Sequence, residues 1–186
     1  MIIKRPNALE FEQALSYIQE VYQRKFQTKP KDIWPDCLIG LDSNGQIIGL
    51  LAMQFSEGSK FEIENMFQFD LSILRSARID IVSFGRWSAK TPGLGTALMF
   101  GAVKYSLERD RTIMLSCSKP NILKFLRSNY GLAFDILGVP RVSANIDLED
   151  QAYFSEKPYP VLCAAHLEQW YYKLKQLIPS SLTIKF

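Results

Sequence analysis

The chain has 186 residues, 47% of them hydrophobic and 22% charged, which is enough apolar material for one self-sufficient α/β body and excludes disorder or a fibre. Lysine and arginine outnumber aspartate and glutamate by only 22 to 19 and fall in scattered pairs such as Lys4-Arg5 and Arg24-Lys25, so no concentrated basic face is offered to nucleic acid. Three widely spaced cysteines, Cys37, Cys117 and Cys163, make neither a disulfide framework nor a CxxC pair, which fits a reducing cytoplasm.

The opening MIIKRPNALEFEQ is charged from Lys4 onward and is not read as a signal peptide. No apolar run approaches the roughly 18 residues of a membrane span, so any membrane contact is expected to be peripheral. Asn7 and Glu10 form a capping-box pattern ahead of Phe11, Leu15, Ile18, Tyr22 and Phe26, which predicts an amphipathic helix over 8–26. CLIGL and IIGLLAMQF flank Asp42-Ser43-Asn44-Gly45, a hairpin signal, and the second of these strands is apolar on both faces, so helices are expected on both sides of the sheet.

Alternation of Phe61, Ile63, Asn65 and Phe67 with Glu62, Glu64 and Met66 predicts a strand over 61–67. RIDIVSFGRWSA, 78–89, reads as another strand, with Gly85 as a candidate bulge. It runs through KTPGLGT into a helical pattern that fades at 108–111. TIMLSCS, 112–118, is a short buried strand, and Pro120 sits near the first position of a helix that stops at Gly131. LAFDILG follows as a strand, the polar stretch 142–160 takes no assignment, and Val161–Ile178 reads as a closing helix.

The chemistry is concentrated in Lys90-Thr91-Pro92-Gly93-Leu94-Gly95-Thr96, between a strand and a helix. Glycines let a ligand approach the backbone, and the unpaired N–H groups of a helix's first turn favour an anion such as a pyrophosphate. A tight strand-to-helix turn without a ligand would use the same residues. The segment is neither a Walker A loop, since no GK[ST] follows, nor a full GxGxxG, since position 98 is leucine.

The loop resembles the R/Q-x-x-G-x-G/A acyl-CoA loop of the GNAT N-acyltransferase superfamily, with Lys90 at the usual Arg or Gln position, and Gly131-Leu132 stands where that family has Gly-Phe. YQRKF (22–26), PDCLIGLDSNGQIIG (35–49), FEIENMFQFDLSI (61–73), VSFGRWSA (82–89), LRSNYGL (126–132) and YFSEKPYPV (153–161) look like the thermostable hemolysin family, a GNAT-like group, and the layout is similar to that of the acyl-homoserine-lactone synthases. The resemblance implies acyl-CoA or acyl-phosphopantetheine as co-substrate, with no tightly bound cofactor, and an acyl carrier protein as a possible partner. Its donor contacts would be Arg86, Trp87, Ser88, Lys90, Gly93, Leu94, Gly95, Thr96 and Asn121. Two positions depart from the pattern: Ser83 stands where an acidic residue is usual early in the fourth strand, and Arg127 where many GNAT enzymes have tyrosine, with Tyr130 one helical turn on.

Transfer of an acyl group to an amine needs a base for the amine, a polarised carbonyl and a proton for the thiolate. Glu64, in the expected strand with apolar neighbours, is the candidate base through a raised pKa; the bland alternative is an exposed edge-strand glutamate. N–H groups at Gly85–Trp87 would polarise the carbonyl, and Tyr130 would protonate the thiolate. Cys117 lies between two serines, but His166, the sole histidine, belongs to a distant element, so an inert buried thiol is the simpler reading and direct transfer is expected. No metal site is expected. The sequence thus reads as a single α/β (α+β) GNAT-like domain over 1–186 with a mixed, mostly antiparallel sheet flanked by helices, its core at 8–138 and a C-terminal extension at 139–186. The reading is a cytoplasmic N-acyltransferase with a small-molecule amine acceptor. The alternative is a non-enzymatic hemolysin-like binding protein that uses Trp170, Tyr171 and Tyr172 against a partner or membrane surface.

Overall fold

The computed structural model describes residues 1–66, 70–138 and 153–186. In chain order they form β1 (Ile2–Lys4), α1 (Ala8–Phe26), β2 (Asp36–Leu41), β3 (Ile47–Phe55), α2 (Glu62–Met66), β4 (Ile81–Ala89), α3 (Leu94–Leu107), β5 (Ile113–Ser118), α4 (Pro120–Tyr130), β6 (Asp135–Gly138), β7 (Val161–His166), α5 (Leu167–Lys175) and β8 (Thr183–Lys185). Among these residues the strands make one eight-stranded sheet in the order β6-β7-β5-β4-β3-β2-β1-β8. Only the β4–β5 and β1–β8 pairs are parallel.

The expected capping box is present: Asn7 accepts from the Glu10 N–H and the Glu10 carboxylate accepts from the Asn7 N–H, each at 2.9 Å. In the β2–β3 turn the Asp42 carboxylate accepts from the N–H groups of Asn44 and Gln46, and Gly45 takes φ +77°. Gly131 ends α4 in the left-handed region, as a helix-terminating glycine does.

Strand β3 buries both faces. Leu50 and Ala52 pack with Ala14, Ile18 and Val21 of α1, whereas Leu51 and Met53 belong to the core under α3 and α5, with Leu94, Leu98, Ala102 and Trp170. A third cluster, around Phe61, Ile63, Ile81 and Leu115, continues the α1 face towards β5, since alternate residues of a strand share a face.

Two elements differ from expectation. Residues 62–66, expected as strand, are helical: the Glu64 carboxylate accepts from the Phe61 N–H at 2.7 Å, and the Glu62 N–H donates to the Gln54 side chain rather than to a neighbouring strand. Position 67 of that expected strand lies outside the described residues. The closing helix does not begin at Val161, because 161–166 are β7, laddered antiparallel to β5 and β6. VLCAAH is apolar over most of its length, and an apolar run of that kind suits a central strand as well as a buried helix. Residues beyond 138 therefore supply an interior strand of the sheet, and β8 closes its other edge beside β1. Of the unassigned stretch 142–160, positions up to 152 lie outside the described residues.

Asn7→Ala removes the side-chain acceptor from the α1 N-terminus and is expected to lower unfolding free energy by about 1 kcal/mol. Chemical denaturation with an unchanged m-value checks it.

Candidate active site

Strands β4 and β5 begin side by side and then part. Their parallel ladder runs from Ile81↔Ile113 to Phe84↔Ser116 and ends there, although β4 continues to Ala89 beside β3 and β5 to Ser118 beside β7. The parting coincides with a bulge: Ala52 faces Gly85 and Leu50 faces Ser88, so two residues of β4, Arg86 and Trp87, oppose Leu51 alone. Gly85, the candidate bulge, pairs with Ala52 and immediately precedes the bulged residues, and a side-chain ring packs on it. A Cβ there would stand 2.8 Å from the Trp34 ring.

A cavity of about 200 Å³ occupies the opening and reaches both sheet faces. On the α3 side its walls are Met99, Leu123, Leu126, Phe134, Cys163 and Trp170; on the α1 side they include Val21, Tyr22, Phe26, Trp34, Ile63 and Phe154. It is mainly apolar with a few polar groups converging on it, as ligand sites are.

At the rim on the α3 side lies the glycine turn. Gly93 has φ +78° and precedes α3 without a side-chain cap. The first intrahelical bond runs from the Ala97 N–H to the Gly93 carbonyl at 3.0 Å, so the N–H groups of Gly95 and Thr96 have no earlier helical carbonyl to meet. Leu94 is fully buried and serves the core, its side chain filling the space over Gly40 and Gly49. Gly95 lies against Trp87, whose ring would be 3.0 Å from a Cβ. The indole nitrogen of Trp87 is buried and has no hydrogen-bond partner among the described residues.

The α1 side is charged and aromatic. Glu62 accepts from the Trp34 indole N–H at 2.5 Å, and its other oxygen is 4.0 Å from the Arg86 guanidinium. Arg86 holds φ +50° at the bulge and lies over the Tyr22 ring, 5.4 Å from its centroid. Tyr22, Phe26 and Tyr153 follow one another edge to face at 5.2 Å. Ser83, 1% exposed, lines the cavity with its hydroxyl unpartnered among the described residues.

No family model matches the chain, and no curated protein matches it. Solved structures do. A CoA-dependent acyl-homoserine lactone synthase, BjaI, with SAM and isopentyl-CoA, is 14% identical, covering 98% of this chain and 92% of that one at a TM-score of 0.64. FeeM, an N-acyl amino acid synthase from uncultured soil microbes, is 12% identical over 89% of this chain and 96% of its own, TM-score 0.63. A GNAT-family acetyltransferase from Staphylococcus aureus Mu50 is 10% identical over 89% and 98%, TM-score 0.54. The fold is therefore GNAT-like, of the kind shared with the acyl-homoserine-lactone synthases.

Of the residues singled out in the sequence, the structure brings Arg86 and Trp87 to the cavity and sets Gly93, Gly95 and Thr96 at the glycine turn. The Ser88 hydroxyl instead bonds Tyr17 at 3.2 Å, and the Lys90 ammonium lies over the Tyr17 ring, both towards α1. Asn121 is exposed in the first turn of α4. Tyr130 ends α4 stacked edge-on against Phe125 and is not among the lining residues. The last helix keeps Trp170 in the core, its N–H donating to the Ala133 carbonyl, and Tyr171 stacks on Phe100, which leaves only Tyr172 of its three aromatic residues exposed. Cys117 does line the opening, but burial pushes its thiol well up, and burial raises Cys163 to about 12. His166 pairs with Ile113 at the far end of the ladder in which Cys117 pairs with Leu162.

Glu64 corrects the expected raised pKa. Burial works to raise it, but the Arg78 guanidinium, paired to both carboxylate oxygens, and the Phe61 N–H outweigh burial and hold the group below its usual value. Glu62, two residues earlier, is the carboxylate at the cavity. As a strand the segment would have set Glu62 and Glu64 on one face; the helix turns them to different directions. Since the folded-state pKa of Glu64 is depressed, its stabilisation is full above the unfolded value near 4.5 and is lost as pH falls through the folded one. Glu64→Gln should thus cost about 1–3 kcal/mol at neutral pH, with the gap to wild type narrowing on acidification below pH 4.5. Parallel denaturation curves across pH check this.

Proposed function

We propose that the protein moves an acyl group from a CoA or acyl-carrier thioester to an amine by direct transfer. The observation that carries this reading is the opening between β4 and β5, with the glycine turn at its rim and the unpartnered Trp87 N–H in its wall. The GNAT-like fold supports it. So do the CoA-dependent synthase and the N-acyl amino acid synthase among the solved structures similar to this chain.

The residues fit an extended pantetheine arm. Where two parallel strands part, a chain of amides pairs with the strand edges as an added strand does. The Gly95 and Thr96 N–H groups at the positive end of α3 meet the pyrophosphate or carrier phosphate. The Trp87 N–H is a donor for a carbonyl of the arm or of the thioester; filling it removes an unmet buried donor, worth about 1–3 kcal/mol. The apolar walls on the α3 side, Met99, Leu123, Leu126 and Phe134, take the acyl chain.

The acceptor enters from the α1 side. Its nitrogen attacks the thioester carbon, the new C–N bond forms, and the C–S electron pair leaves on sulfur. Glu62 takes the proton that the amine sheds, and the departing thiolate takes one from water. Donors at the bulge residues Gly85–Trp87 face the developing oxyanion. Cys117 has no imidazole beside it and a thiol held neutral by burial, so it forms no acyl-enzyme.

Thiol release from acyl-CoAs of graded chain length and from acyl-loaded carrier protein, with product mass spectrometry, tests the reaction. Gly95→Trp places a ring against Trp87 and should abolish donor binding by calorimetry. Unchanged donor affinity in a folded Gly95→Trp variant would overturn the reading. Trp87→Phe should raise the donor's KM about 5- to 50-fold, as expected for one lost buried hydrogen bond. Cys117→Ala should keep most activity, and intact mass after incubation with donor alone should show no adduct. A stable adduct on Cys117 would replace direct transfer with a two-step route.

A further inference from the structure

We infer that Ser83 anchors the acceptor's nitrogen, and that the acceptor is a monoamine with an apolar or aromatic body and no second charge. The inference rests on the acyltransferase reading for what becomes of that nitrogen; the site is argued from which of its groups are met and which are not.

On the α1 side of the opening the charges are already met within the chain. Glu62 accepts from the Trp34 indole N–H, and the Arg86 guanidinium faces it at 4.0 Å. Arg86 in turn lies over the Tyr22 ring. A ligand bringing a carboxylate here would have to take Arg86 from these contacts, because a charge withdrawn from water needs a partner of its own. Lys25 also lines the cavity, but it is exposed, and a hydrated ammonium holds an anion weakly.

Ser83 is in the opposite condition. It is 1% exposed and lines the cavity, and its hydroxyl has no partner among the described residues. A buried hydroxyl left unmet is costly, so a polar atom of a ligand gains most at this point. The residue shares the sheet face of Ile81 and Gly85, on which Trp34 packs.

Register brings this hydroxyl to the side of the proposed base. Ser83 pairs with Gln54 of β3, and residues paired across neighbouring strands point to the same face. The Gln54 side-chain carbonyl accepts the Glu62 N–H at 2.9 Å. Ser83, Gln54 and Glu62 therefore follow one another on one face of the sheet. A neutral amine donates an N–H to the Ser83 hydroxyl oxygen and keeps its lone pair for the thioester carbon.

The remaining walls on this side fix the body of the molecule. Val21, Phe26, Ile63 and Phe154 are apolar, and the N–H of Trp34 is spent on Glu62. Such walls favour an aliphatic chain or a ring through the area they remove from water. One unmet hydroxyl within apolar walls thus matches a ligand with one polar end.

Calorimetry on the full chain, with and without saturating CoA, should compare phenethylamine and hexylamine with L-phenylalanine, 3-phenylpropionate and 1,4-diaminobutane. At least one monoamine is expected to bind tenfold or more tighter than each of the other three. Ser83→Ala should weaken that monoamine about three- to tenfold, as one lost hydrogen bond does. Without ligand the same variant should melt no lower than wild type, since the hydroxyl it removes has no partner to lose. L-phenylalanine binding as tightly as phenethylamine, unchanged monoamine affinity in Ser83→Ala, or no monoamine binding even with CoA present would each overturn the inference. A lowered melting temperature with unchanged affinity would make the hydroxyl structural and overturn it too. CoA binding without monoamine binding would sink this inference and leave the acyltransferase reading standing, whereas monoamine binding without any thioester or CoA binding would do the reverse.

Discussion

A parallel strand pair that stays together for four rungs and then separates is the constraint on which the rest of the site depends. From Ile81↔Ile113 to Phe84↔Ser116 the two strands share hydrogen bonds; beyond that, each is held only by its outer neighbour, β3 or β7. The bulge at Arg86 and Trp87 fixes where this happens, because the extra residue bends β4 and shifts its register against β3. An opening in the middle of a sheet would be costly if it stayed empty and polar. Here apolar residues of α1, α3, α4 and α5 close it from above and below.

Polar groups placed inside such a cavity are expensive, and their distribution carries the functional argument. Ser83 and the Trp87 indole are buried without a partner among the described residues, each at a cost of about 1–3 kcal/mol relative to a satisfied group. One lies on each side of the sheet: Trp87 packs with the α3 core, and Ser83 shares the face of Ile81. The charges follow the same division, with Glu62 and Arg86 on the α1 side and the helix N-terminus on the other. Glu64 shows the contrast. Its carboxylate is satisfied by Arg78 and the Phe61 N–H, and it holds α2 in place beneath the site.

The central elements were legible because each is set by local chemistry. Asn7 with Glu10, Asp42–Gly45, Pro120 and Gly131 all act within a few residues of themselves, and the GLG turn lies between strand and helix as its glycines require. What was not legible depends on partners distant in sequence. Whether 61–66 pair as a strand or coil into a helix is settled by Gln54 and Arg78, and whether VLCAAH is strand or helix is settled by the ladder edges that β5 and β6 offer it. Ser83 was noted for a missing carboxylate; Glu62 stood in the same alternating segment, where a strand would have put it on one face with Glu64, and only the helix separates the two. Tyr130 kept its helical position and turned to Phe125 instead of the opening.

On the acyltransferase reading, a cavity lined from both faces of the sheet has a kinetic consequence for transfer through the opening. If donor and acceptor had to occupy the same space in turn, the first product would leave before the second substrate bound, and a residue would be needed to hold the acyl group meanwhile. Cys117 is the nucleophile at hand, and burial keeps it protonated with no histidine beside it. On the proposed reading the thioester lies between β4 and β5 from the α3 side and the amine is met by Glu62 from the α1 side, so that both reactants are present together and no carrier residue is required. The barrier is then lowered by positioning across the sheet and by donors at the bulge. On that reading the sheet, where β4 and β5 part, keeps the two substrates apart everywhere except at the atoms that react.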